Sequence, residues 1–207
     1  DVAQPGRGVV EVDLRPSQIS VADAALKSKD LTAAETNLRS IAKQDQDYLK
    51  AQLMLASMYL EDLGLAERSI EILDRMIESS VEFQLNPREI FMLELNRAVV
   101  WLRMIQDNPN GSQELIADAV QAFDRLRTRG DSLELTIDVS HLLTYSRALC
   151  ADIEAKLKTQ NLEQAKGLWK NYLEMFAEQI RFSSYVDDAK SRILALNIDQ
   201  AKQNHTR

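Results

Sequence analysis

The chain of 207 residues is predicted to be all-α: an α-α superhelix of about four antiparallel helical hairpins, closed by a C-terminal capping helix. Three observations predict this. Glycine (6) and proline (4) are scarce, while Ala, Leu, Glu, Gln, Lys and Arg, the strong helix formers, dominate. Apolar residues recur at intervals of three and four, which gathers them on one face of each helix. The pattern also returns: Ala34, Leu38 and Ile41 are followed 35 residues later by Ser69, Leu73 and Met76.

Composition narrows the function classes. Hydrophobic residues make up 45% and charged residues 28%, as in a globular protein rather than a disordered one. The formal net charge is −7, from 25 basic and 32 acidic residues. Nucleic acids are held by Lys and Arg displacing counterions, so an acidic chain without a basic block argues against a nucleic-acid partner. The same reasoning argues against anionic membrane surfaces. No uncharged apolar run is long enough to span a membrane, since the richest window, Ile90 to Ile105, is broken by Glu94, Arg97 and Arg103. The chain starts at Asp1, which reads as a processed or excised start and leaves an exported or a cytoplasmic location equally open.

The elements follow in order. Residues 1–14 read as an extended leader, with a brief β-like alternation over Val9–Leu14 that nothing else in the chain matches. Pro16 and Ser17 then open the helical part, Ser17 as a cap. Residues 15–80 contain two regular hairpins, with helices at about 17–28, 31–43, 47–62 and 66–79. Asn86-Pro87 stops and restarts the chain. Residues 81–207 hold two longer hairpins, at about 87–106 with 113–127 and 132–158 with 162–179, and a capping helix at 185–203. Gly130 is expected as a left-handed helix end. From Ser69 to Ala119 is 50 residues and from Ala119 to Ala165 is 46, so both later units are stretched. An internal echo ties the two ends into one solenoid: Leu157–Ala165 repeats the pattern of Leu26–Ala34, and its Asx residue (Asp30, Asn161) is expected to cap the helix that follows. The capping helix should turn Asp187, Asp188, Lys190, Arg192 and Asp199 outward, because a terminal repeat otherwise exposes its core.

With Ala22, Ala34 and Ala56 where helices must approach closely, and Leu38, Tyr59 and Leu73 beside them, the chain resembles a tetratricopeptide repeat (TPR) protein. It lacks the glycine and proline of the fuller pattern. The resemblance implies a non-catalytic scaffold or adaptor that binds a peptide or a partner helix in a concave groove lined by the first helix of each hairpin. On that alignment the groove carries Asp23, Leu26, Lys27, Lys50, Leu53, Ser57 and Leu60, with a solvated, unliganded face as the alternative. The family's clamp for a C-terminal carboxylate uses asparagines, and those positions hold Ser20 and Met54 here. The rival function is self-assembly into a homo-oligomer through Tyr59, Trp101, Trp169 or Tyr185; a helical enzyme or regulatory domain ranks below it.

Reactive constellations were sought residue by residue. No catalytic residue, cofactor site or metal site is predicted. The glycines form no phosphate loop, and His141 and His205 stand 64 residues apart without a second ligand at metal-binding spacing. His141 reads as a surface or groove residue, and Cys150, the only cysteine, as a small buried thiol. Arg129-Gly130-Asp131 matches an integrin-recognition tripeptide but reads as a helix end, and Asn110-Gly111-Ser112 and Asn204-His205-Thr206 are glycosylation sequons.

Overall fold

The computed structural model describes residues 17–110, 113–158 and 161–205, with side chains described as far as Lys202. The leader, the strand-like Val9–Leu14 and parts of both sequons lie outside the described residues. Among the described residues the chain is all-α, with no strand. The helices are α1 (Gln18–Lys27), α2 (Leu31–Arg39), α3 (Tyr48–Glu61), α4 (Ala66–Glu78), α5 (Pro87–Asp107), α6 (Gln113–Gly130), α7 (Ile137–Lys158), α8 (Leu162–Phe176) and α9 (Ser183–His205). A 3-10 turn, Ile180–Phe182, precedes α9. Each helix packs on its neighbours in chain order, with a further contact between α5 and α7. None of them is long and apolar enough to cross a membrane.

The small and large residues of the hairpin pattern are all core. Ala22, Ala34 and Leu38 have no exposure, and Ala56, Tyr59 and Leu73 are buried. Ala165, Trp169 and Tyr172 are buried in turn, as their match to Ala34, Leu38 and Ile41 required. Two apolar clusters result, and α5 belongs to both. Its Leu93 and Val100 enter the first cluster, with α1 to α4. Phe91, Leu95, Ala98, Leu102 and Ile105 enter the second. A helix spaced this way on two faces must be covered on both sides, which makes α5 the hinge-pin of one continuous body.

Several ends differ from the expected ones. α2 stops at Arg39 rather than Lys43; the Ile41 amide bonds back only three residues, to the Leu38 carbonyl, and a turn closed by Asp45 accepting from the Asp47 amide follows. Ile41 still fills the core from outside the helix, at 4% exposure. α7 starts at Ile137 rather than 132; Leu133 and Leu135 pack on the second cluster from the preceding loop instead. Gly130 is not a left-handed cap. It is the buried last residue of α6, and a Cβ there would stand 3.0 Å from Leu135 Cδ1, so close packing explains the glycine. The left-handed positions are Gly64 at φ 64° and Lys29, Gln84 and Asn161. Asp30 does cap α2, accepting from the Ala33 amide at 3.0 Å, but Asn161 sits at φ 61° and makes no cap. The two turns therefore match in sequence and differ in geometry, although Leu31 and Leu162 both pack beneath them. Asn86 makes a full capping box with Glu89 and has Pro87 behind it, a start worth about 1 kcal/mol.

The 50-residue spacing is a structural repeat. α4, its loop and α5 recur as α6, its loop and α7, with Asp74, Arg75, Leu85, Leu93, Arg97 and Ala98 matched by Asp124, Arg125, Leu135, Leu143, Arg147 and Ala148. Arg97 binds Asp74 at 2.9 Å, and Arg147 binds Asp124 at 2.7 Å. The added length lies in α5 (21 residues) and α7 (22 residues), against 10 in α1 and 14 in α3. Where the copies diverge, the second becomes polar: Leu95 corresponds to Tyr145, and Leu102 to Asp152. Those two residues hold the last helix.

α9 corrects one more expectation. Asp188 and Arg192 face inward, Asp188 accepting from the Tyr145 hydroxyl at 2.6 Å and Arg192 reaching Asp152. Asp187 and Lys190 do face outward, but that side also shows Leu194, 63% exposed, and Ile198 one turn later.

Candidate functional site

The groove residues lie on α1 (Asp23, Leu26, Lys27) and α3 (Lys50, Leu53, Ser57, Leu60). Lys27, Lys50 and Ser57 are exposed, and Lys27 donates to Asp23 at 2.6 Å one turn away. Leu26, Leu53 and Leu60 are half-buried against the first cluster, so they serve packing and present only an edge to solvent. None of the three clefts described next is lined by Asp23, Leu26, Lys27, Lys50, Ser57 or the other groove residues.

The first cleft, of about 650 Å³, opens between α2, α3 and α4. Arg39 and Lys43 stand on one wall and Arg68 and Arg75 on the other, with Glu71 the one carboxylate of the lining. Its floor is a polar chain. The Tyr59 hydroxyl donates to Glu35 Oε1 at 2.5 Å and accepts from Arg39 Nη2 at 2.6 Å, while Arg39 Nε binds Glu35 at 2.7 Å. The Tyr59 hydrogen bond, then Arg39, holds the Glu35 carboxyl below its ordinary range; Tyr59, then Glu35, raises Arg39. Arg68 lies over the Tyr59 ring at 5.7 Å.

The second cleft, of about 620 Å³, is the same place one repeat on. Gln121, Ala122 and Arg125 of α6 line it where Glu71, Ile72 and Arg75 of α4 line the first. Of its three arginines, Arg125 has no ion pair among the described residues, while Arg97 is paired with Asp74 and Arg129 with Glu94. That ion pair and one between Arg127 and Asp131 also engage every charge of the Arg129-Gly130-Asp131 tripeptide. A third cleft of about 490 Å³ lies between the turn after α2 and the loop before α5, where Lys43 faces Glu82 at 3.8 Å and the Phe83 ring.

The C-terminal half contains an aromatic cluster that sequence reading placed differently. His141 is 8% exposed rather than on the surface, stacked on Phe182 with centroids 3.8 Å apart and edged by Tyr172, Phe176 and Tyr185. Burial lowers its pKa below 6.5; Asp138 opposes that shift and Arg181 adds to it. Its Nε2 has no hydrogen-bond partner among the described residues. Burial pushes the Cys150 thiol up to about 12, with Glu154 and Asp124 adding to it. At neutral pH the imidazole is uncharged and the thiol protonated, and a buried protonated thiol is a poor nucleophile. Among the described residues no group of His, Cys, Asp or Glu could hold a metal ion.

Two features were missed from sequence. Asp152 is a carboxylate with no exposure, inside Cys150-Ala151-Asp152-Ile153, and its signal was the polar interruption of an apolar face. The basic cleft was missed because its residues lie on α2, the turn after it and α4; only the spacing of seven between Arg68 and Arg75 was visible within one helix. Tyr59 and Trp169, offered above as contact residues, are core at 1% and no exposure; Trp101 is half-buried under the Arg97 guanidinium, and Tyr185 is 43% exposed. Comparison with known protein families, with curated proteins and with solved structures finds no match to this chain.

Proposed function

We propose that this chain is a non-catalytic interaction scaffold of the TPR type, a superhelix of hairpins that holds a peptide or a partner helix against the face formed by α1 and α3. The observation that carries the reading is the packing order. Helices that touch almost only their chain neighbours form an extended, quasi-one-dimensional body, and such bodies offer long faces rather than one enclosed pocket. The half-buried Leu26, Leu53 and Leu60 beside the exposed Lys27, Lys50 and Ser57 supply the mixed apolar and polar surface a peptide needs. The burial of His141 among aromatic rings and of the protonated Cys150 supports the non-catalytic part.

The test is selection from a random peptide library on the whole chain, followed by binding to Lys27→Glu/Lys50→Glu. The reading expects enriched peptides whose affinity falls about tenfold or more on the double reversal. Peptides that bind both forms equally, or no enrichment at all, would remove it.

Self-assembly is the second reading, favoured by one observation. Leu194 and Ile198 form an exposed apolar pair on α9, where a terminal helix of a closed solenoid would be polar. Sedimentation that is concentration-dependent in the native chain and monomeric in Leu194→Glu/Ile198→Lys supports it; a monomer at all concentrations rules it out.

A further inference from the structure

We infer that the cleft between α2, α3 and α4 is a second binding face, separate from the α1–α3 groove, and that it takes an extended acidic peptide segment of a partner protein. Charge selects the site. In a chain of net charge −7, this cleft gathers Arg39, Lys43, Arg68 and Arg75 around the single carboxylate Glu71. Its repeat-equivalent between α5 and α6 is more fully neutralised, Arg97 and Arg129 each having a carboxylate partner and Arg125 alone having no ion pair among the described residues. Here only Arg39 has a close carboxylate partner, Glu35 at 2.7 Å. Among the described residues no carboxylate lies within ion-pair distance of Arg68 or Arg75, and Lys43 reaches only Glu82, at 3.8 Å with both groups exposed. Arg39 is held by Glu35 and Tyr59 through Nε and Nη2, which fixes its fork and leaves Nη1 open. A guanidinium oriented in this way forms bidentate bonds to a carboxylate at little further entropic cost.

Spacing selects the occupant. Arg68 and Arg75 are seven residues apart on α4, roughly 10 Å at the helical rise per residue. Arg39, at the end of α2, and Lys43, in the turn that follows, face them from the other side. Cations strung along two walls do not converge on one point anion. They match an extended chain, whose same-side carboxylates recur about every 7 Å. Gln52 and Ser40 add neutral partners for its backbone, while the Tyr59 hydroxyl, already engaged by Glu35 and Arg39, holds the Arg39 fork in place. The remaining acidic surface repels such a segment, so this cleft is where it would be steered.

The test is fluorescence anisotropy of labelled octaglutamate and octaglutamine on the full chain. Octaglutamate is expected to saturate and octaglutamine not, with affinity falling as salt rises. Arg68→Glu/Arg75→Glu should weaken octaglutamate about tenfold or more, while the charge-matched Lys170→Glu/Lys190→Glu should change it less than about twofold. Circular dichroism checks the fold, and Arg68→Gln/Arg75→Gln replaces the reversal if the latter unfolds the chain. Equal weakening by both double variants would reduce the effect to net charge and overturn the site. Loss on Lys27→Glu/Lys50→Glu in place of the cleft variant would move the acidic segment into the groove, which also overturns it. Saturable binding of tripolyphosphate without binding of octaglutamate would make the cleft a small-phosphate site and reject the peptide.

Discussion

Arg192 Nη1 donates to Oδ2 of Asp152 at 2.9 Å, so the last helix is joined to a carboxylate that has no contact with solvent. Lys156 stands 3.1 Å from the same carboxylate, and the Arg192 guanidinium also lies over the Trp169 ring. In the first copy of the repeat this position is Leu102. The exchange of a core leucine for an aspartate marks where the array stops adding hairpins and receives its end.

Removal of this tie should be costly. Asp152 is fully buried, while a quarter of the Arg192 side chain is exposed and Lys156 remains as a partner. Arg192→Met is therefore expected to cost about 2–3 kcal/mol, at the lower end of a broken buried pair. Urea titration checks it, and amide exchange should show α9 opening before α5. A loss below about 0.5 kcal/mol would mean that α9 is held by its apolar contacts alone.

The hairpin cores carry the stability of the N-terminal half. Leu38 and Leu73 are at zero and 1% exposure, so Leu38→Asp and Leu73→Asp each strand a charge in the first cluster. Each should lower the melting temperature and the far-UV helical signal, with a cost above the roughly 3 kcal/mol of a leucine truncation. An unchanged melting curve for either would contradict the packed hairpins.

His141 makes stability depend on pH. Its folded pKa is depressed, so between the unfolded value near 6.5 and the lower folded one the unfolded chain binds the extra proton. Stability due to this group is complete above 6.5, falls as pH drops through that window, and levels once the folded imidazole is protonated. The charged neighbours are Asp138 on α7 and Arg181 on the 3-10 turn, bound to each other at 3.1 Å; Tyr145, Tyr172 and Tyr185 complete the surroundings. His141→Phe should flatten the melting temperature against pH between about 5 and 7 relative to the native chain. Identical slopes would place the imidazole in water.

Cys150 should be inert while the chain is folded. With its thiol pushed up to about 12 by burial, almost no thiolate exists at neutral pH. Reaction with an aromatic disulfide reagent is expected only at the rate of unfolding, and to become fast in denaturant. Rapid labelling of the native protein would show that the α6–α7 contact opens.

The sequence by itself determined the fold class and most of the hairpins. Spacings of three and four around Ala34, Leu38, Ser69 and Leu73 are enforced locally by the helical turn, and Asn86-Pro87-x-Glu89 carries its own capping box. Those constraints act within a few residues, so one dimension suffices to read them. Tertiary structure alone decided what polar residues do. Asp30 and Asn161 stand in matching turns, yet only the first caps; Asp188 and Arg192 look like a solvated face until Tyr145 and Asp152 stand opposite. The four cations of the cleft lie on α2, the turn after it and α4, which only packing brings face to face. A charge takes its meaning from what lies across the gap, and the dielectric and distance of that gap are set by the fold.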